Sequence, residues 1–176
     1  TLSSVQKPIW TDQILHSNNA LYNIGGYVNI RGAVSYPKFT QALNEVLSSA
    51  ESLKLSFDVN DNFYSQSLEK RSEYLPEIVD FSNDINPFDS ATDWMHIHLS
   101  TPIYLSTDWN LKFALLKIHS DQYIWFIKIH HLLIDGWGMS CLVKEVADAY
   151  TGIDKHNNER IHYHDSFLDF LTYDQK

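Results

Sequence analysis

The segment Gln122-Tyr123-Ile124-Trp125-Phe126-Ile127-Lys128-Ile129-His130-His131-Leu132-Leu133-Ile134-Asp135-Gly136-Trp137-Gly138 decides the fold. Tyr123, Trp125, Ile127 and Ile129 alternate with Ile124, Phe126 and Lys128, the period of two that a strand requires. Both faces are mostly apolar, so the strand is expected inside a sheet, covered on both sides. Leu111–His119 has the same character. Only Ser120 and Asp121 separate the two runs, which predicts an antiparallel hairpin.

On an extended backbone His130 and His131 point to opposite faces, so they do not share one metal ion or one substrate atom. Strand parity puts His131 on the face of Ile129, Ile127 and Trp125. Asp135 follows in very apolar surroundings, where a buried carboxylate needs a partner or hydrogen bonds. Gly136 permits a turn or a close approach that a side chain would block. Two readings follow. One is a histidine at the mouth of a cleft, acting on a proton or a developing charge. The other is a packed histidine pair beside a capped helix.

Outward from this segment, the pattern predicts a helix over Ser3–His16, capped by Ser3 or Ser4, and a strand over Gly25–Ile30. Pro37–Ala50 reads as an amphipathic helix with Phe39, Leu43, Val46, Leu47 and Ala50 on one stripe. Leu53–Val59 and Phe63–Leu68 read as strands around Asn60-Asp61-Asn62, and Tyr74–Asp80 as another. Asp89–Ser100 is expected to be helical, as is Met139–Tyr150 with Gly152 as its stop. Ile153–Ile161 reads as a polar loop, and His164–Tyr173 as a last helix capped by Asp165 or Ser166. Helices and antiparallel strands mixed along the chain give an α+β fold: a mixed α/β sandwich with helices packed on a mostly antiparallel sheet.

The chain has 176 residues, 44% of them hydrophobic and 14% aromatic, enough for a real core and incompatible with whole-chain disorder. A net charge of −9 without a basic cluster argues against nucleic acid. Cys141 is the only cysteine, so no intrachain disulfide or cysteine-based metal site forms, and a cytoplasmic setting fits. No apolar run reaches the ~18–20 residues of a membrane span. Thr1 in place of a start methionine suggests a piece of a longer polypeptide.

His130-His131-x-x-x-Asp135-Gly136 resembles the HHxxxDG signature of the condensation domains of nonribosomal peptide synthetases, shared with the wider chloramphenicol-acetyltransferase-like acyltransferases. Ser3, Gln6 and Trp10 match the family's opening motif S-x-A-Q-x-R-x-W. Glu51, Leu53 and Phe57 match the end of its second motif, R-H-E-x-L-R-T-x-F. The resemblance covers residues 1–176 as the N-terminal lobe of such a domain, with the second lobe absent. It implies a chloramphenicol-acetyltransferase-like lobe. It also implies transfer of an acyl or peptidyl group from a carrier-bound thioester to the amine of a downstream carrier-bound aminoacyl thioester. Both substrates would ride on the phosphopantetheine of upstream and downstream carrier domains, and the lobe itself would bind no cofactor and no metal. His131 would meet the amine, as base or as positioning group, and His130 would be structural. Asp135 would be an ion-pair partner, and Gly136 would leave room at the tunnel. The family's arginine that pairs with this aspartate falls at Lys54, which keeps the charge without the planar fork. Trp137, Trp10 and Tyr22 are candidates for lining the cleft. Pro8, Ser49 and Ala50 depart from the family motifs. The isolated lobe is expected to be inactive.

Two other functions compete: a stand-alone coenzyme-A-dependent acyltransferase completed by a symmetric neighbour, and a non-catalytic module that docks carrier domains. His96 with His98, and His162 with His164, have metal-like spacing but no third ligand nearby. Asp58 to Asn62 with Glu69 mimics a calcium loop, but Phe63 stands where the sharp turn demands Gly.

Overall fold

Strand alternation in the chain's most apolar stretch builds the centre of the molecule. The computed structural model describes residues 1–60, 63–105, 109–153 and 166–174. In chain order the elements are α1 (Gln6–Leu15), β1 (Asn23–Arg31), α2 (Tyr36–Ser49), a short 3-10 helix (Glu51–Lys54), β2 (Leu55–Asn60), β3 (Phe63–Leu68), β4 (Glu77–Asp80), α3 (Pro87–Ser100), β5 (Leu111–His119), β6 (Gln122–His130), α4 (Gly136–Ile153) and α5 (Phe167–Asp174).

The main sheet runs β1-β6-β5-β4, and β2 with β3 forms a separate hairpin. β6 is antiparallel to both neighbours, with Gly25 opposite Lys128 and Phe113 opposite Ile127. Only the edge pair β4–β5 is parallel, because α3 carries the chain across between them. The predicted hairpin and the predicted central strand are therefore observed. The fold class is the expected α+β one, with an antiparallel-dominated sheet.

The two faces of β6 feed two cores. Trp125, Ile127 and Ile129 join Trp10, Phe39, Leu43, Leu47, Leu142 and Val146 in the larger one, beneath α1, α2 and α4. Phe39 meets the Trp125 ring edge-on at 5.4 Å, fastening α2 to the sheet. Ile124 and Phe126 join Ala91, Met95, Ala114 and Leu116 under α3. Each of the larger side chains, Leu, Ile, Val, Phe or Met, contributes about 1.5–3 kcal/mol by leaving water. Lys128 occupies the α3 side of β6 yet is only 5% exposed. Its Nζ donates to His98 O (2.8 Å) and Thr101 O (2.5 Å), placing a charged donor on carbonyls at the end of α3.

Several boundaries differ from the sequence reading for local reasons. α1 begins at Gln6, and Pro8 falls in its first turn, where no backbone donor is needed. Ser3 and Gln6 bond reciprocally: Ser3 N donates to Gln6 Oε1 (2.9 Å) and Gln6 N to Ser3 Oγ (3.1 Å). β4 is shorter than predicted. Tyr74 N donates to the Asn44 side chain instead of a strand, and Pro76 has no donor to give. α4 starts three residues before Met139 and runs one past Gly152, so that glycine is not its stop. α5 starts after Ser166, whose Oγ accepts from Asp169 N at 3.4 Å. His162, His164, Asp165 and most of the predicted loop at 153–161 lie outside the described residues, as do Asp61 and Asn62 of the calcium-like loop.

Candidate active site

β6 ends at His130, and the chain turns through His131-Leu132-Leu133-Ile134 into α4. Backbone donors along the first part of this turn are held from separate places. His130 N donates to Asn110 O (3.0 Å), His131 N to Tyr22 O (2.8 Å) and Leu133 N to His130 O (2.9 Å). Leu132 N donates to His130 Nδ1 at 3.2 Å, and Gln6 Nε2 donates to Leu132 O at 3.0 Å.

His130 is 1% exposed. Its second ring nitrogen, Nε2, meets Gln13 Oε1 at 3.2 Å. Burial, helped by the neighbouring His131, pushes its pKa down to about 4, so the ring is neutral near pH 7. His131 is half-buried, and no hydrogen-bond partner meets its imidazole among the described residues. The two adjacent histidines are thus split by function of place: one bonded on both nitrogens inside the fold, one open at the end of the strand.

Asp135 is exposed, contrary to the expectation of a buried carboxylate. The apolar run beside it folds inward through Leu132 and Leu133, while Asp135 stands at the first turn of α4. Its Oδ1 accepts from Gly138 N (2.7 Å) and its backbone O accepts from Met139 N (2.9 Å), so it caps the helix. The expected ion pair with Lys54 is a correction. Lys54 Nζ donates to Ser48 O at 2.7 Å, at the C-terminal end of α2, and does not reach Asp135. A cation there complements the helix dipole.

Gly136 has open space where a Cβ would stand, with no neighbouring atom within 4 Å. Gly138 is the sterically required glycine. A Cβ there would come to 2.8 Å of Ile134 Cγ1 and 3.3 Å of Asp135 Oδ1. Trp137 is 79% exposed on the same first turn. Tyr22 is half-buried with its ring 6.2 Å from that of His130. Trp10 does not line a cleft: it is 1% exposed and packs against Phe57 at 5.4 Å. Aromatic residues suit a core and a cleft equally, and the sequence does not separate the two.

Sequence reasoning missed Gln13 and the anchoring role of Gln6. The signal was present: Gln6, Trp10 and Gln13 stand at i, i+4 and i+7, one face of α1, and all three are buried. Among the described residues no group of three or more His, Cys, Asp or Glu could hold a metal ion. His96 and His98 lie two apart on α3, where such neighbours diverge, and His98 packs on Trp94 at 3.9 Å. Cys141 is half-buried. Among the described residues no helix is long and apolar enough to cross a membrane.

The turn from β6 into α4 thus presents one imidazole that meets no hydrogen-bond partner among the described residues, at the end of a central strand of an antiparallel-dominated sheet. The family description "Condensation domain" matches residues 1–176, and the chain belongs to that family. It is 32% identical over 155 residues to the dimodular nonribosomal peptide synthase of Bacillus subtilis (strain 168), covering 88% of this chain and 6% of that protein. It is 29% identical over 153 residues to the isonitrile lipopeptide synthase of Streptomyces coeruleorubidus, covering 86% and 10%. The starter condensation domain of rhizomide synthetase RzmA superposes with a TM-score of 0.92 at 27% identity, over 99% of this chain and 43% of that one. The first condensation domain of the CDA synthetase shares the fold, with a TM-score of 0.87 over 98% and 45%. The chain therefore spans less than half of each of these proteins.

Proposed function

We propose that this chain is the N-terminal lobe of an amide-forming condensation domain. The acceptor amine attacks the carbonyl carbon of a carrier-bound acyl or peptidyl thioester. The tetrahedral adduct expels the donor's phosphopantetheine thiolate, and the amine's proton leaves through His131 or through solvent beside it. The observation that carries this reading is the unbonded, half-buried His131 ring on a turn whose backbone is fixed by Asn110, Tyr22 and Gln6. A thioester is already electrophilic, so holding amine and carbonyl in contact supplies much of the acceleration. Asp135 serves as the cap that sets the start of α4. Gly136 leaves open the volume next to it, and Trp137 offers an apolar face to whatever enters. Upstream and downstream carrier domains present the two substrates, and the remainder of the condensation domain closes the site. The cytoplasm is the matching compartment.

The test is His131→Ala in the full-length protein. Amide formation is expected to fall about 10²–10⁴-fold with melting unchanged. Undiminished product would instead support a non-catalytic module that docks carriers.

A second reading differs in the donor, which would arrive as an acyl-CoA. The likeness to the RzmA starter domain favours it, since a variant of that protein was solved in complex with C8-CoA and Leu-SNAC. Supplying acyl-CoA and carrier-bound acyl donors in parallel separates the two, because only the accepted thioester is consumed.

A further inference from the structure

We propose that Gln13 is a positioning residue for His131, acting by fixing the tautomer of His130. This rests on the assignment of the acceptor amine to His131.

The direction of each hydrogen bond is forced. The Leu132 backbone N–H can only donate, so the His130 Nδ1 that it meets at 3.2 Å carries a lone pair. A neutral ring then holds its proton on Nε2, which must donate across 3.2 Å to Gln13 Oε1. The Gln13 amide is set by its other end, where Nε2 donates to Ser17 O at 3.4 Å. One polarised relay therefore runs from Leu132 N–H through His130 and Gln13 to the end of α1. Gln13 is 6% exposed and His130 1%, so neither has water as a substitute partner.

The relay meets the residues on either side of the reactive one. Gln6 holds the Leu132 carbonyl and His130, itself bonded to Gln13, holds the Leu132 N–H, so both backbone polar groups of the residue after His131 depend on α1. With the other tautomer, His130 Nδ1–H would face Leu132 N–H, donor against donor, and the turn carrying His131 would have to move.

Few charged groups compete for the His130 ring. The Tyr22 ring lies 6.2 Å away, and its hydroxyl is held protonated by burial and by the Asp12 carboxylate. His131 is the adjacent residue. Lys128, two residues back on the same strand, turns its Nζ to the end of α3 instead. Burial and His131 both favour the neutral ring.

A glutamate in place of Gln13 keeps the acceptor but draws a second proton onto His130. The prediction follows with its sign. In Gln13→Glu, amide formation by the full-length protein falls on the acid side, as pH drops through the raised His130 pKa, and recovers above it. In the unsubstituted protein the corresponding limb lies lower, near pH 4. Gln13→Leu removes the acceptor and lowers kcat about ten- to a hundredfold at every pH, with KM little changed.

Ring-nitrogen NMR of histidine-labelled chain reads the relay without turnover. The unsubstituted chain is expected to show the Nε2–H tautomer of His130 at all pH values well above 4, and Gln13→Glu to show His130 titrating at higher pH. An Nδ1–H tautomer, or no titration in Gln13→Glu, overturns the relay. Titration with a pH–rate profile superposing on that of the unsubstituted protein overturns the positioning role. Failure of the functional reading looks different: His131→Ala keeps full activity while the His130 spectrum behaves as expected.

Discussion

His130 stays neutral because its surroundings favour the uncharged ring, and that has a stability consequence with a definite sign. In the unfolded chain a histidine takes up its proton near the ordinary value of 6.5, whereas in the folded protein the value is about 4. The contribution is complete above pH ~6.5 and drains away as pH falls toward ~4, about 3 kcal/mol in all. Chemical denaturation of the unsubstituted protein and of His130→Gln across that interval should show the difference, with a flatter acid dependence in the variant. The two glycines of the turn make an opposite pair. Gly138→Ala pushes Ile134 and the Asp135 cap, and should cost about 1–3 kcal/mol, more than the helix propensity gained. Gly136→Ala meets nothing in the chain, so melting should hold or rise; a fall in turnover without a fall in stability would show that substrate uses the vacant volume. The motif marked the histidines but not their division of labour. Parity separates the two rings, while the partner of the buried one comes from α1, over a hundred residues away.

At the scale of elements, α4 owes its start to Asp135 and α2 its satisfied end to Lys54. Asp135→Ala should cost about 1 kcal/mol as a lost cap. Lys54→Ala should cost no more than about 1 kcal/mol. Because the two do not touch, their effects should add within about 0.5 kcal/mol in a double variant measured by denaturation. A large coupling energy would restore the ion pair that the structure removes. The β5–β6 hairpin was legible because its alternation is long and uninterrupted. Asp135 was misread because hydropathy averages over neighbours, and a single side chain at a turn goes wherever the turn sends it. The Lys54 pairing was carried over from a motif, and only three-dimensional distance could decide it. β4 came out short because an asparagine and a proline compete with strand pairing locally.

At the scale of the molecule, one four-stranded sheet separates two cores, and the turn carrying His131 sits on the side of the larger. Solved relatives extend to more than twice the length of this chain, which covers 40–45% of theirs. Residues 1–176 by themselves are therefore expected to give no amide above the solution background, even with carrier-bound substrates at saturation. Turnover at the rate of the full-length protein would contradict the proposal that the site is shared with the rest of the domain. Three remote stretches of chain converge on residues 130–132: the approach to β5, the residue ahead of β1, and both ends of α1. The three do not substitute for one another, because both backbone polar groups of Leu132 answer to α1 alone. Loosening of that terminal helix is thus expected to misalign the imidazole while the sheet beneath it is still intact.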